Sequence, residues 1–185
     1  EEALADPLFL ADGCVAEVED PELGPIRMVG VPYRLDTSPG QIRAGAPRVG
    51  AHTAEVKEEA LRLRAQPAAP SPKGQRLGAP LEGISVLDLG LAIARPFGTQ
   101  LLSDLGASVI KINALHDIYW HSNHIAYSAN RGKKSIALNL RDARARAVLR
   151  ELVARADVVQ HNMRYEAAER LGIDYQSLRK LNPRL

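Results

Sequence analysis

Residues 80–112 read PLEGISVLDLGLAIARPFGTQLLSDLGASVIKI, and their pattern decides the fold. Residues 84–89 form a short, mainly apolar run, which suits a buried strand of a parallel sheet. Residues 90–95 are a loop of mostly small residues. Pro96 fits a first helical turn, where its missing N–H would have had no partner. Phe97, Leu101, Leu102 and Leu105 recur at helical spacing and predict one apolar stripe. Gly106 is a natural C-terminal stop, and residues 108–112 are a second, β-branched run. Strand, loop, helix, glycine and strand predict a βαβ unit with parallel strands and a right-handed crossover.

The alternation continues downstream. Residues 113–134 form a long polar connection containing aromatics, and residues 135–140 predict a third strand. Asp142 predicts the cap of a helix whose Ala145, Val148, Leu149, Leu152 and Val153 share one face. Residues 157–160 predict a fourth strand, and residues 165–171 a short helix stopped by Gly172. Asp174 caps a last helix through Leu178 and Leu181, ended by Pro183. Alternating strands and helices predict an α/β fold with a doubly wound parallel layer.

Upstream, residues 2–11 predict a short helix. Residues 14–19 and 25–31 predict a β-hairpin across the turn DPELG. Residues 32–50 are a Pro-, Gly- and Ser-rich loop, and Thr53 is a cap candidate for a helix over residues 54–64. Residues 65–79, AQPAAPSPKGQRLGA, have no apolar period and predict a linker between two units.

A chain of 185 residues makes one ordinary domain or two small ones. Its formal net charge of +2 gives no warrant for a nucleic-acid partner, and no run is apolar enough to span a membrane. Cys14 stands alone, so no intrachain disulfide framework exists, and a reducing, cytoplasmic compartment is expected. The chain begins Glu1-Glu2-Ala3 without methionine or a secretory pattern, so a piece of something longer is expected.

In an open parallel sheet, ligands sit beyond the carboxyl ends of the strands. Here those places are residues 90–95, 113–117, 139–142 and 161–164. None carries the glycine-rich dinucleotide fingerprint, so a classical NAD site is not expected. NRGKK, residues 130–134, reads as a phosphate contact or a solvated turn, and charge alone favours the turn. His116, His121 and His124 with Asp117 match no strong metal signature, so no metal is expected. Tyr119 and Trp120 read as packing or ligand lining. Asp88 ends the first strand, where a hydrogen bond to nearby backbone is the expected role. Arg170 serves equally as a helix-dipole partner or a ligand contact, and Asn162 meets either a ligand or a turn.

Several of these stretches carry a resemblance. PLEGISVLDLG, ARPFGTQLLSDLGASVIKI, NRGKKSIALNLRD, ADVVQHN and ERLGIDYQSLRKLNPRL, in that order, resemble the first part of a class III CoA-transferase. This is the CaiB/BaiF family, which includes formyl-CoA transferase and the α-methylacyl-CoA racemases. ALADP, GCVAEVEDPELGPIRMVGVPYRL and APRVGAHTAEV resemble the family's other end, its closing hairpin, loop and last helix. The resemblance therefore implies tail, linker and head: residues 1–64 closing one unit, 65–79 linking, and 80–185 opening a second. Circular permutation is the lesser explanation of that order.

The resemblance implies a Rossmann-like parallel sheet, a hairpin lying apart from it, and a last helix that crosses back onto the sheet. It implies coenzyme A or acyl-CoA as ligand and no metal. It also implies association with missing segments or another copy, in an interlocked dimer-like assembly. In the transferases an aspartate attacks an acyl-CoA thioester, forms an anhydride and carries CoA to an acceptor acid. Racemases instead use a His and an Asp to move a proton α to the thioester. Carried over by position, the CoA contacts fall on Ile93, Ala94, Leu138, Asn139, Leu140, Arg141, Asn162, Met163, Arg164 and Arg170. Arg141, Arg164 and Arg170, with Lys133 and Lys134, are the implied partners of the phosphates.

Departures from the family pattern include Arg95 for a glycine, expected to crowd the cleft mouth, and Asn139 for an aspartate. Asn113 and Ala114 replace an acidic residue and a proline, and Tyr165-Glu166 replaces a Pro-Gly turn. They leave open a non-catalytic structural copy beside the transferase and racemase readings. The catalytic aspartate's motif matches no stretch here, so this chain is expected to bind CoA but to catalyse nothing alone.

Overall fold

The computed structural model describes residues 2–33, 35, 39–64, 77–115, 117–118 and 124–185. In chain order the elements are α1 (Glu2–Ala5), α2 (Pro7–Ala11), β1 (Val15–Asp20), β2 (Gly24–Val29) and α3 (Thr53–Arg64). There follow β3 (Ser85–Asp88), α4 (Ala94–Asp104), β4 (Ser108–Asn113), α5 (His124–Asn130) and β5 (Lys134–Ala137). The last four are α6 (Ala143–Val153), β6 (Val158–Gln160), α7 (Tyr165–Leu171) and α8 (Tyr175–Leu181). The fold is mixed α/β, with a parallel sheet ordered β5-β4-β3-β6 and a separate antiparallel hairpin, β1-β2. Most of the linker expected over residues 65–79 lies outside the described residues.

The expected caps form where the side chains allow them. Asp142 accepts from the Arg144 amide and starts α6, and Asp174 accepts from the Ser177 amide and starts α8. Gly172 closes α7 at φ 67°, a left-handed value that glycine takes without a Cβ clash. β5 stops at Ala137 rather than Leu140, although Leu138 still donates to the Asn113 carbonyl at 3.0 Å. Thr53 opens α3, and its hydroxyl accepts from the Ala137 amide, on the rim of β5, at 3.3 Å.

That rim is closed by residues 50–53. His52 N–H donates to the Ser135 carbonyl at 2.8 Å, and the His52 Nδ1 accepts from the Ser135 amide at 3.0 Å. The Gly50 amide donates to the Ser135 hydroxyl at 3.0 Å. Beside them, α3 packs on β5 and α6, with Val56 and Ala60 buried in the main apolar cluster. The helix predicted to cross back onto the sheet therefore does so.

Strand alternation separates two faces. Leu87, Leu89, Ile110, Ile112, Ile136 and Leu138 enter the main cluster with α3, α6, α7 and α8. The opposite face meets α4. The predicted stripe of Phe97, Leu101, Leu102 and Leu105 is not that helix's buried face. Phe97 is exposed, and the helix buries Pro96, Thr99, Gln100, Ser103 and Asp104 instead. The sheet surface beneath explains this, because at that end it is polar.

The hairpin forms its own sheet but is pinned to the α/β layer. Buried Arg131 donates to the carbonyls of Val29 and Gly30 and forms an ion pair with Asp104 at 2.8 Å. The Tyr33 hydroxyl donates to the Leu101 carbonyl at 3.1 Å.

Candidate functional site

A cavity of about 520 Å³ opens at the carboxyl ends of the four parallel strands. The segment just after β3 contributes Leu89 and Leu91; β4 contributes Ile112 and Asn113 and, beyond its end, Ala114 and Leu115. The turn after β5 contributes Leu138 to Arg141, and the β6–α7 connection contributes Met163, with Leu171 closing the wall. The strand order reverses between β3 and β6, so the cleft lies where doubly wound sheets admit ligands.

The walls are largely apolar, with Asn113, Asn139 and Arg141 as their polar groups. The turn bearing Arg141 is shaped by short-range bonds. The Asn139 side chain accepts from the Arg141 amide at 3.2 Å, and the Asp142 amide donates to the Asn139 carbonyl at 2.8 Å. Arg146 donates to the carbonyls of Leu140 and Arg141 at 3.0 and 2.9 Å. Arg141 forms no ion pair among the described residues, so its charge is available to an anion.

Five of the ten positions implied by the resemblance thus converge here: Leu138, Asn139, Leu140, Arg141 and Met163. Ile93 and Ala94 lie exposed where α4 begins, next to the loop that carries Leu91. Arg164 and Arg170 stand exposed at the two ends of α7 and do not line the cavity. Asn162 directs its carboxamide at the Leu91 backbone. Arg95 is exposed and does not line the cavity, contrary to the expected crowding. His116, Tyr119, Trp120 and His121 lie outside the described residues.

Beneath the β3–α4 loop runs a buried ionic network. The Asp88 carboxylate accepts from Lys133 Nζ at 2.9 Å, from the Thr99 hydroxyl at 2.6 Å and from the Gly90 amide at 2.8 Å. Lys111 Nζ stands 3.7 Å from Asp88 and donates to the Gly90 carbonyl. Lys133 also donates to the Pro96 carbonyl at 2.7 Å, beneath the first turn of α4. Gly90 is required here, since a Cβ would come within 2.5 Å of the Arg95 Cβ.

Burial opposes ionisation of Asp88, but Lys133, Lys111 and the Thr99 hydroxyl outweigh it and hold the carboxyl below its ordinary value. Burial pushes the Lys133 ammonium down to about 8, against the pull of Asp88, and lowers Lys111 in the same way.

This corrects the two readings of NRGKK. Lys133 is neither solvated nor available to a phosphate, because it is buried and paired with Asp88. Arg131 is spent on Asp104 and the hairpin, and Lys134 pairs with Glu55 at 2.5 Å. Asp88 has its expected backbone bond and two cations besides. Lys111 was the legible signal: a lysine inside an otherwise apolar strand needs a buried partner.

These features define an α/β protein with a cleft over the carboxyl ends of a parallel sheet. Residues 1–53 and 81–185 match the model of CoA-transferase family III, and the chain belongs to that family. It is similar to acetyl-CoA:oxalate CoA-transferase of Acetobacter aceti, 42% identical over 62% of this chain and 30% of that protein. It is also similar to the probable CoA-transferase Rv1866 of Mycobacterium tuberculosis, 32% identical over 98% of this chain and 23% of that protein. Among solved structures, a CaiB/BaiF family protein of Brucella suis aligns with TM-score 0.53 at 36% identity, over 56% of this chain and 31% of that one. The chain thus spans less than a third of these relatives' length.

Proposed function

We propose that this chain supplies the coenzyme A-binding portion of an enzyme that moves CoA between an acyl-CoA thioester and a carboxylic acid. The observation that carries this reading is the cavity where Leu138–Arg141 and Met163 converge at the strand ends, in a chain of this family. Its apolar walls suit the nonpolar parts of the ligand, and Arg141, without an ion pair among the described residues, suits a phosphate. Arg164 and Arg170, outside the cavity, reach only a ligand that extends over α7. The chemistry of this family calls for a carboxylate nucleophile to open the thioester. Asp88, at the end of β3, is buried and paired with two lysines, so it is not free to attack. The nucleophile is then drawn from elsewhere in the parent protein.

We further propose the order tail, linker, head from two tandem units. The Mycobacterium tuberculosis relative supports it: the similarity runs through both segments, and that protein is about twice as long as the Acetobacter aceti relative.

Calorimetry with coenzyme A and dephospho-CoA tests the binding reading. Arg141→Ala is expected to weaken coenzyme A binding by about 1.5–3 kcal/mol, the range for a charge-assisted contact. Equal affinity of variant and parent removes Arg141 from the site. Absence of any coenzyme A binding by the parent protein overturns the reading.

A further inference from the structure

We propose that Asn162 is a positioning residue of the cleft: its carboxamide acts as one more rung of the β3–β6 ladder and holds residues 90–93 in their bend. The inference rests on the coenzyme A reading only for its effect on binding.

The last backbone rung between these strands is Leu89 N–H to the Gln160 carbonyl, at 2.8 Å. Two residues further along each chain, the main chains no longer pair. The Asn162 side chain takes over: Oδ1 accepts from the Leu91 amide at 2.8 Å, and Nδ2 donates to the Leu91 carbonyl at 3.0 Å. A primary amide has the same donor and acceptor pair as a peptide group, so it substitutes for one in a ladder. The next residue, Ala92, has φ 61°, the one left-handed non-glycine residue among those described. That conformation is unfavourable for any residue with a Cβ and persists only where its surroundings enforce it.

The loop's other anchors lie on either side of this point. Asp88 and Lys111 hold Gly90 from below, and Gln160 Nε2 donates to the Arg95 carbonyl at 2.7 Å. Leu91 itself is held by Asn162, and Leu91 forms one wall of the cavity. Both polar atoms of Asn162 are committed to this task. Through these bonds the side chain acts on the ligand by way of the loop it holds.

The test uses the whole 185-residue chain and two readouts: amide hydrogen exchange at Leu91 and calorimetry with coenzyme A. In Asn162→Ala, Leu91 exchange should rise about tenfold or more and coenzyme A affinity should fall about tenfold. Exchange at Val86 and Val109, deep in the sheet, should not change. Adding Ala92→Gly, which frees the bend of its cost, should recover part of the affinity without restoring protection at Leu91. Asn162→Asp keeps the acceptor and loses the donor, so it should fall between parent and Asn162→Ala; it serves also if the alanine variant fails to fold.

Parent-like exchange at Leu91 in Asn162→Ala overturns the proposal. So does lost affinity that Ala92→Gly leaves untouched while Leu91 stays protected, which makes Asn162 a direct ligand contact. If the parent chain binds no coenzyme A, the functional reading falls, and exchange at Leu91 alone still decides the clamp.

Discussion

Toward the carboxyl ends of its strands the two faces of the parallel sheet are made by opposite means, although Val86 and Val109 pack with Leu102 of α4 nearer the start. On one, Leu87, Leu89, Ile110, Ile112, Ile136 and Leu138 join side chains from four helices in one apolar cluster. On the other, the same strands bury Asp88, Lys111, Asn113 and Ser135, and α4 answers with Thr99, Gln100, Ser103 and Asp104. The apolar face is non-directional: its stabilisation follows area, and a neighbour of similar volume is tolerated. The polar face is directional. Asp88, Lys111 and Ser135 sit in register across three strands, and each charge there depends on a particular partner. That face also carries the loop that lines the cleft, so the dependence on partners coincides with the place where geometry matters most.

The sharpest way to break this contrast is Lys133→Met. Removing one cation leaves Asp88 buried with the more distant Lys111, and a broken buried pair typically costs about 3–5 kcal/mol. Urea unfolding measures it. A loss under about 1 kcal/mol means that the polar face is not held by its charges. Next in size is Ile136→Ala on the apolar face, expected to cost about 2–4 kcal/mol through lost burial and the cavity left behind. Coenzyme A affinity should survive this change better than it survives Lys133→Met, and the reverse order would assign the loop to the wrong face.

The smallest effect is acid dependence. The Asp88 carboxyl is held below its ordinary 3.8, so its contribution is complete above that value and fades as pH falls through the lower folded one. A carbon-13 titration of this carboxyl should give a midpoint below 3.8. A midpoint above it would mean that burial prevails over the two lysines.

The apolar face was legible in the sequence; on the polar one Lys111 was a signal, but its partners were not legible. Residues 84–89 and 108–112 announce strands by composition, and Asp142, Gly172 and Asp174 announce helix ends by local chemistry. Each of those signals lies within a few residues of its effect. Asp88 and Lys133 are 45 residues apart, Leu91 and Asn162 are 71 apart, and Arg131 reaches Val29 across 102. No periodicity encodes such pairs. The stripe on α4 misled for a related reason: helical spacing reveals an apolar face but not whether the surface awaiting it is apolar. In the cleft, the strand ends pointed to the stretches that hold Leu91 and Asn113, and the resemblance to residues 138–141 and Met163, whereas Leu171 and the ionic floor required coordinates.

The closed rim of β5 has a consequence for how the sheet can grow. The Ser135 amide and carbonyl and the Ala137 amide, groups that would template another strand, are taken by His52 and Thr53. Within the described residues β6, at the opposite rim, pairs with β3 alone. Lateral extension of this sheet, whether by a neighbouring segment or in unwanted polymerisation, therefore has one permitted direction: it proceeds outward from β6 and is blocked at β5.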